Sequence, residues 1–159
     1  MSGFKMRREA DSGFTVLELC AVLAGMIILL GAAVPMLDNV INQYRFTLVA
    51  QNIATELQFA RMKAVSSNES FRVNFPANQR FYQVETNAGD PIAGPFWLPD
   101  GVNITEVTFG GRFVSFSPVG DASTVGNGSA GRVKIVSRLG KHIDIIVGTG
   151  GIVRQTPVY

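Results

Sequence analysis

From Leu19 to Leu37 the chain reads LCAVLAGMIILLGAAVPML, nineteen positions without a charge. At 1.5 Å per residue this run makes about 28 Å of helix, the depth of one bilayer core. The pattern then changes without stopping. In DNVINQYRFTLVAQNIATELQFARMKAV the apolar residues Ile41, Tyr44, Leu48, Val49, Ile53, Leu57, Ala60 and Ala64 recur at spacings of three and four, the stripe of an amphipathic helix. Nothing in this second segment breaks a helix, so the two halves predict one helix from Thr15 to about Val65, about 75 Å long. SSN at Ser66 to Asn68 ends it. Pro35 sits in its middle and predicts a kink, because it lacks a donor and crowds the preceding turn.

Alternation of period two follows. SFRVNF and RFYQVE flank the turn residues PANQ and predict a hairpin. The proline- and glycine-rich NAGDPIAGPFWLPDG reads as a loop. Strands VNITEV, RFVSFS, RVKIVS, HIDIIVG and IVRQ come next, parted by GG, PVGDASTVGNGSAG and LGK. Gly120 to Gly131 reads as a mobile surface loop. The fold class is therefore α+β: a long N-terminal helix, its first half transmembrane and its second half amphipathic, packed on an antiparallel β-sheet head.

At 159 residues there is room for one domain and an appendage, which argues against a two-domain enzyme with an interdomain cleft. The net charge of +2 is too small to argue for an anionic partner by itself. The leader Met1 to Gly13 carries Lys5, Arg7 and Arg8 against Glu9 and Asp11, so without it fourteen basic and twelve acidic residues become eleven and ten. Those leader cations precede the apolar run, and only Asp38 follows it closely. The positive-inside rule then places the N-terminus in the cytoplasm and the remainder across the membrane. A secretory signal cut near Gly31 to Ala33 fits this pattern in part, but Glu18 counts against it. A lipoprotein signal needs small residues before its cysteine, whereas Leu17, Glu18 and Leu19 precede Cys20. As the single cysteine, Cys20 excludes an internal disulfide and a cysteine-based zinc site.

Candidate chemistry is sparse. His142 is the only histidine, so neither a histidine pair for a metal nor a serine-histidine-aspartate arrangement follows from spacing. VGTGG, Val147 to Gly151, lacks the lysine and the following helix of a phosphate loop and reads as a strand turn. Asp90, Asp100 and Asp121 stand in glycine or proline contexts that suit turns. No catalytic residue, metal or cofactor is expected, and the chain does not read as an enzyme.

Glu18 is the exception that demands a reason, since an acidic side chain in a membrane helix costs roughly 2.5 to 3.5 kcal/mol. A basic leader ending in Gly13, then Phe14, Thr15, Val16, Leu17 and Glu18, then an apolar helix carrying Pro35, resembles the class III signal of type IV pilins and type II secretion pseudopilins. The C-terminal VSFSPVGDAS…GRVKIVSRLGKHIDIIVGTGGIVRQ resembles the end of the GspH/FimT branch of that family.

The resemblance implies that a prepilin peptidase cuts after Gly13 and that the new amine on Phe14 is methylated. Glu18 and such an amine on an adjacent subunit would form one ion pair in a low dielectric, and the helix dipole favours an acid in the first turns. It implies residues 1–13 as a cleaved leader, 14–37 as the transmembrane half of the helix, and 38–159 as a periplasmic head made of an amphipathic helix at 38–66 and a β domain at 70–159. The implied role is that of a minor pseudopilin in the initiation or tip of a type II secretion pseudopilus. Its partners would be the peptidase/methyltransferase, other major and minor pseudopilins or pilins, the bacterial inner membrane and secreted cargo.

The rival role is a FimT-like minor pilin that binds DNA during uptake. Arg132, Lys134, Arg138, Lys141 and Arg154, set against only Asp144, make the C-terminal segment basic. DNA-binding members carry Gly-Arg-x-Arg there; this chain reads Gly151, Ile152, Val153, Arg154, so the leading arginine is absent.

Overall fold

Thr15 opens the helix. Its Oγ1 accepts a hydrogen bond from the Glu18 backbone N–H at 3.2 Å, satisfying one of the free donors of the first turn. The computed structural model describes residues 14–123 and 131–159, and side chains at 32–39 are outside the described residues. The expected leader 1–13, with Gly13, and the expected kink at Pro35 therefore lie outside them, as do residues 124–130 of the expected loop. Helix α1 runs Val16–Ser67, 52 residues, close to the expected bounds. It stops because Asn68 turns left-handed (φ 54°) and the Glu69 N–H reaches back to the Ala64 carbonyl.

The chain divides into two compact units between Ile41 and Asn42. In the first, every side chain from Phe14 to Gly31 is exposed. Among the described residues no helix is long and apolar enough to cross a membrane; the expected span at 14–37 extends into positions whose side chains lie outside that set.

The second unit, Asn42 to Tyr159, has its own core. Strands β1 (Phe71–Asn74), β2 (Phe81–Thr86), β3 (Pro91–Trp97), β5 (Phe113–Phe116) and β6 (Ala122–Ser123) form an antiparallel sheet in the order β3-β2-β1-β5-β6. Strands β4 (Val102–Val107), β7 (Gly131–Ser137), β8 (His142–Val147) and β9 (Val153–Gln155) form a second, ordered β4-β7-β8-β9. Alternating residues of both sheets, among them Val73, Val84, Val114, Val133, Ile135, Ile145 and Val147, meet the helix in one core. Every strand expected from alternation is present within a residue or two of its expected bounds.

Three expectations need correction. The segment NAGDPIAGPFWLPDG is not all loop, since Pro91–Trp97 forms β3. Proline is tolerated there because β3 is an edge strand, where a missing N–H breaks no ladder on the open side. The expected loop at 120–131 is structured at both ends: β6 pairs Ala122 with Phe116, and Gly131 begins β7 opposite Val147. The helix stripe was also misphased at its start. Val49, Ile53, Leu57, Ala60 and Ala64 are buried, but Phe46 and Ala50 complete the core. Tyr44 is 65% exposed and Ile41 46%. At 3.6 residues per turn, Ile41, Tyr44 and Leu48 fall on the side of the helix opposite Phe46, Ile53 and Leu57.

Candidate functional site

At the helix start, the Thr15 to Glu18 spacing is that of a capping box, a signal legible in the sequence. The hydroxyl half of the box is formed. Glu18 lies in the first turn, exposed, where the dipole favours a carboxylate. Phe14 precedes it, 83% exposed.

The five candidate DNA-contacting residues do not form one surface. Register places Arg132, Ile146 and Arg154 in one cross-strand row and Glu106, Lys134 and Asp144 in the next, on the face of the four-stranded sheet turned away from the core. Glu106, contributed by β4, was not among the expected site residues. It accepts two hydrogen bonds from Arg132 Nη2, at 2.9 and 3.1 Å, and Asp144 Oδ2 lies 3.9 Å from the Arg132 Nη1. The hydrogen bond from Arg132 to Glu106 raises the guanidinium's pKa further, with the attraction of Glu106 adding to it. Three cations thus share this face with two carboxylates, and Arg132 is already engaged by them.

Arg138 and Lys141 lie elsewhere, in the turn joining β7 to β8. There they line a cavity together with Asn42, Gln43 and Arg45 of α1 and Asp100 and Gly101 of the loop before β4. Lys141 Nζ donates to Gln43 Oε1 at 3.2 Å. Asp100 accepts from Arg80 Nη1 at 2.8 Å, and that hydrogen bond holds its carboxyl below the usual carboxylate range. Sequence order grouped Arg138 with Arg132 because only six positions separate them; strand length carries them to different ends of the sheet.

The remaining candidates have structural roles. The His142 ring stacks on Tyr159 with centroids 5.7 Å apart, and the two residues exchange backbone hydrogen bonds. Gly148 to Gly151 is a turn, closed by the Gly151 N–H donating to the Gly148 carbonyl. Asp90 closes a turn with Thr86. Among the described residues no three His, Cys, Asp or Glu side chains gather where a metal is held.

A family model described as Type II transport protein GspH matches residues 49–151. Among solved structures, the chain is similar to the type IV minor pilin FimU of Pseudomonas aeruginosa strain PAO1. That match has 15% identity and a TM-score of 0.55, over 70% of this chain and 92% of FimU. It is also similar to EpsH, the minor pseudopilin from the Type 2 Secretion System of Vibrio cholerae, at 13% identity and a TM-score of 0.56, over 70% of this chain and 96% of EpsH. No curated protein matches. At these identities the structural likeness establishes the fold alone, a long helix packed on antiparallel sheets as in pilin-like proteins.

Proposed function

The chain belongs to the GspH family, and from this we propose that it acts as a minor pseudopilin: a non-catalytic subunit of the periplasmic pseudopilus of a type II secretion system, working in filament initiation or at the tip. The observation that supports this most is unburied apolar surface. Val16, Leu17, Leu19, Val22, Leu23 and Met26 to Leu30 are all about half exposed or more. In the head, Tyr44, Phe59 and Met62 lie on the side of the helix opposite its core stripe, all exposed. Exposed apolar surface of this kind marks contact with lipid or protein. In this reading the membrane holds residues 14–37 before assembly, and neighbouring pseudopilins cover the helix afterwards.

The N-terminal steps belong to the same proposal. Prepilin peptidase removes residues 1–13, Phe14 carries the methylated amine, and Glu18 pairs with that amine on a neighbour. Mass spectrometry of the membrane-extracted protein is expected to show a chain beginning at methyl-Phe14. A chain beginning at Met1, or just after Ala33, refutes the proposal. Glu18→Ala is expected to insert normally but to lose crosslinking to partner subunits at least tenfold. Unchanged crosslinking and secretion would remove the assembly role of Glu18.

The DNA-uptake alternative has weaker support, because the basic residues it needs are divided between a mixed-charge sheet face and a hairpin turn. The Asn42–Tyr159 head is expected to show negligible duplex binding at about 150 mM salt, where nonspecific contacts have lost most of their counterion-release drive. Binding at micromolar affinity or tighter, reduced by Arg138→Ala, Lys141→Ala and Arg154→Ala, would reverse the preference.

A further inference from the structure

The cavity beneath the β7–β8 turn is small, about 80 Å³, and its surroundings are uneven in charge. That is room enough for one tetrahedral oxyanion. Arg45, Arg138 and Lys141 converge on it from the helix and the turn. The one carboxylate beside them, Asp100, is hydrogen-bonded by Arg80, which also donates to the Pro99 carbonyl at 2.7 Å, and it feels the charge of Arg138 as well. Among the described residues neither Arg45 nor Arg138 makes a side-chain hydrogen bond or ion pair. Three like charges around a concave space repel one another, and a bound anion offsets that repulsion.

We propose that this cavity is a phosphate-binding site, with Arg45 and Arg138 as the principal ligands and Lys141 completing the cradle. Arginine suits the role because its planar fork gives two parallel hydrogen bonds to a phosphate, and Asn42 offers an amide donor on the helix side. The phosphate is either free or the headgroup of an anionic phospholipid. The site stands independently of the assembly reading.

The test uses the full chain. In phosphate-free detergent at constant ionic strength, inorganic phosphate is titrated while the amide resonances of Gly101, Arg138 and Leu139 are followed. The same resonances are then compared, in phosphate-free buffer, in nanodiscs of phosphatidylcholine with and without one-third phosphatidylglycerol. Saturable shifts with inorganic phosphate alone identify free phosphate as the ligand. Shifts that also appear with phosphatidylglycerol and not with phosphatidylcholine alone identify the lipid headgroup. In either case Arg45→Gln with Arg138→Gln is expected to weaken binding at least tenfold, Lys141→Gln a fewfold, and Arg132→Gln not at all. The proposal fails if neither probe gives saturable shifts, or if the double variant, with an otherwise unchanged spectrum, binds as the parent does.

Discussion

Glu85→Ala is expected to lower the stability of the Asn42–Tyr159 head by about 3 to 5 kcal/mol, the range seen when one partner of a buried pair is removed. The carboxylate is 3% exposed, on the side of the first sheet away from the core, between strands β1 and β2. It accepts from Arg72 Nε at 2.8 Å, Asn74 Nδ2 at 2.9 Å and Gln83 Nε2 at 2.6 Å, and the Arg72 guanidinium also lies 5.1 Å from the centre of the Phe113 ring. Alanine would leave Arg72 without its counter-charge and two amides without their acceptor. Glu85→Gln keeps the volume but sets one more donor among donors, so about 1.5 to 3 kcal/mol is expected. Burial alone pushes this carboxyl up, but hydrogen bonds from Gln83, Asn74 and Arg72, with the Arg72 charge, outweigh it and hold the pKa below the ordinary value. A depressed folded pKa means the carboxylate stabilises the fold fully above its unfolded pKa of about 4.3 and loses that contribution as pH falls through the folded value. Urea unfolding should therefore show a stability loss below about pH 4.3 that is smaller in Glu85→Gln. An identical acid limb in both proteins would show that Glu85 does not carry it.

Periodicity carried most of the fold because each element has one face in a single core. The helix bounds and the strands of VNITEV, RVKIVS and HIDIIVG follow from spacing alone, as their inward residues Val102, Val133, Ile135, Ile143 and Ile145 are all buried. The helix phase was harder to read, because Ile41, Tyr44 and Leu48 form a second apolar stripe and hydropathy does not say which stripe the head covers. Strand β3 was missed because proline argues against a strand everywhere except at an edge, and edges are set by the order of the sheet. The Glu85 cluster and the pairing of Arg132 with Glu106 depend on register between strands, which local sequence does not encode. At the N-terminus the reverse held, since the capping relation of Thr15 and Glu18 spans three residues and was open to inspection.

The same dependence on distant contacts bears on Gly151, the glycine standing where the resembled DNA-binding signature begins. Its φ of +71° lies in the left-handed region, and a Cβ built there would meet the Gly120 carbonyl oxygen at 2.1 Å and Arg61 Nε at 2.6 Å. Arg61 reaches from the helix to both turns, donating to the Gly120 carbonyl through Nε at 2.9 Å and to the Gly150 carbonyl through Nη2 at 3.3 Å. The Ala122 N–H donates to the Thr149 carbonyl beside it at 2.8 Å, so helix and both sheets are joined at this point. Gly151→Ala adds left-handed strain to a clash with backbone that cannot swing aside, and a loss of about 3 kcal/mol or more is expected in urea unfolding of the head. Arg61→Met keeps the aliphatic length but removes the donors, and should cost about 1.5 to 3 kcal/mol. Because both changes open the same junction, the double variant should lose less than the sum of the two. If Gly151 instead serves nucleic-acid contact, Gly151→Ala would leave stability within about 0.5 kcal/mol of the parent, the range of an ordinary surface change, while altering duplex binding. The geometry predicts the opposite, a glycine required by the junction whether or not an arginine follows it.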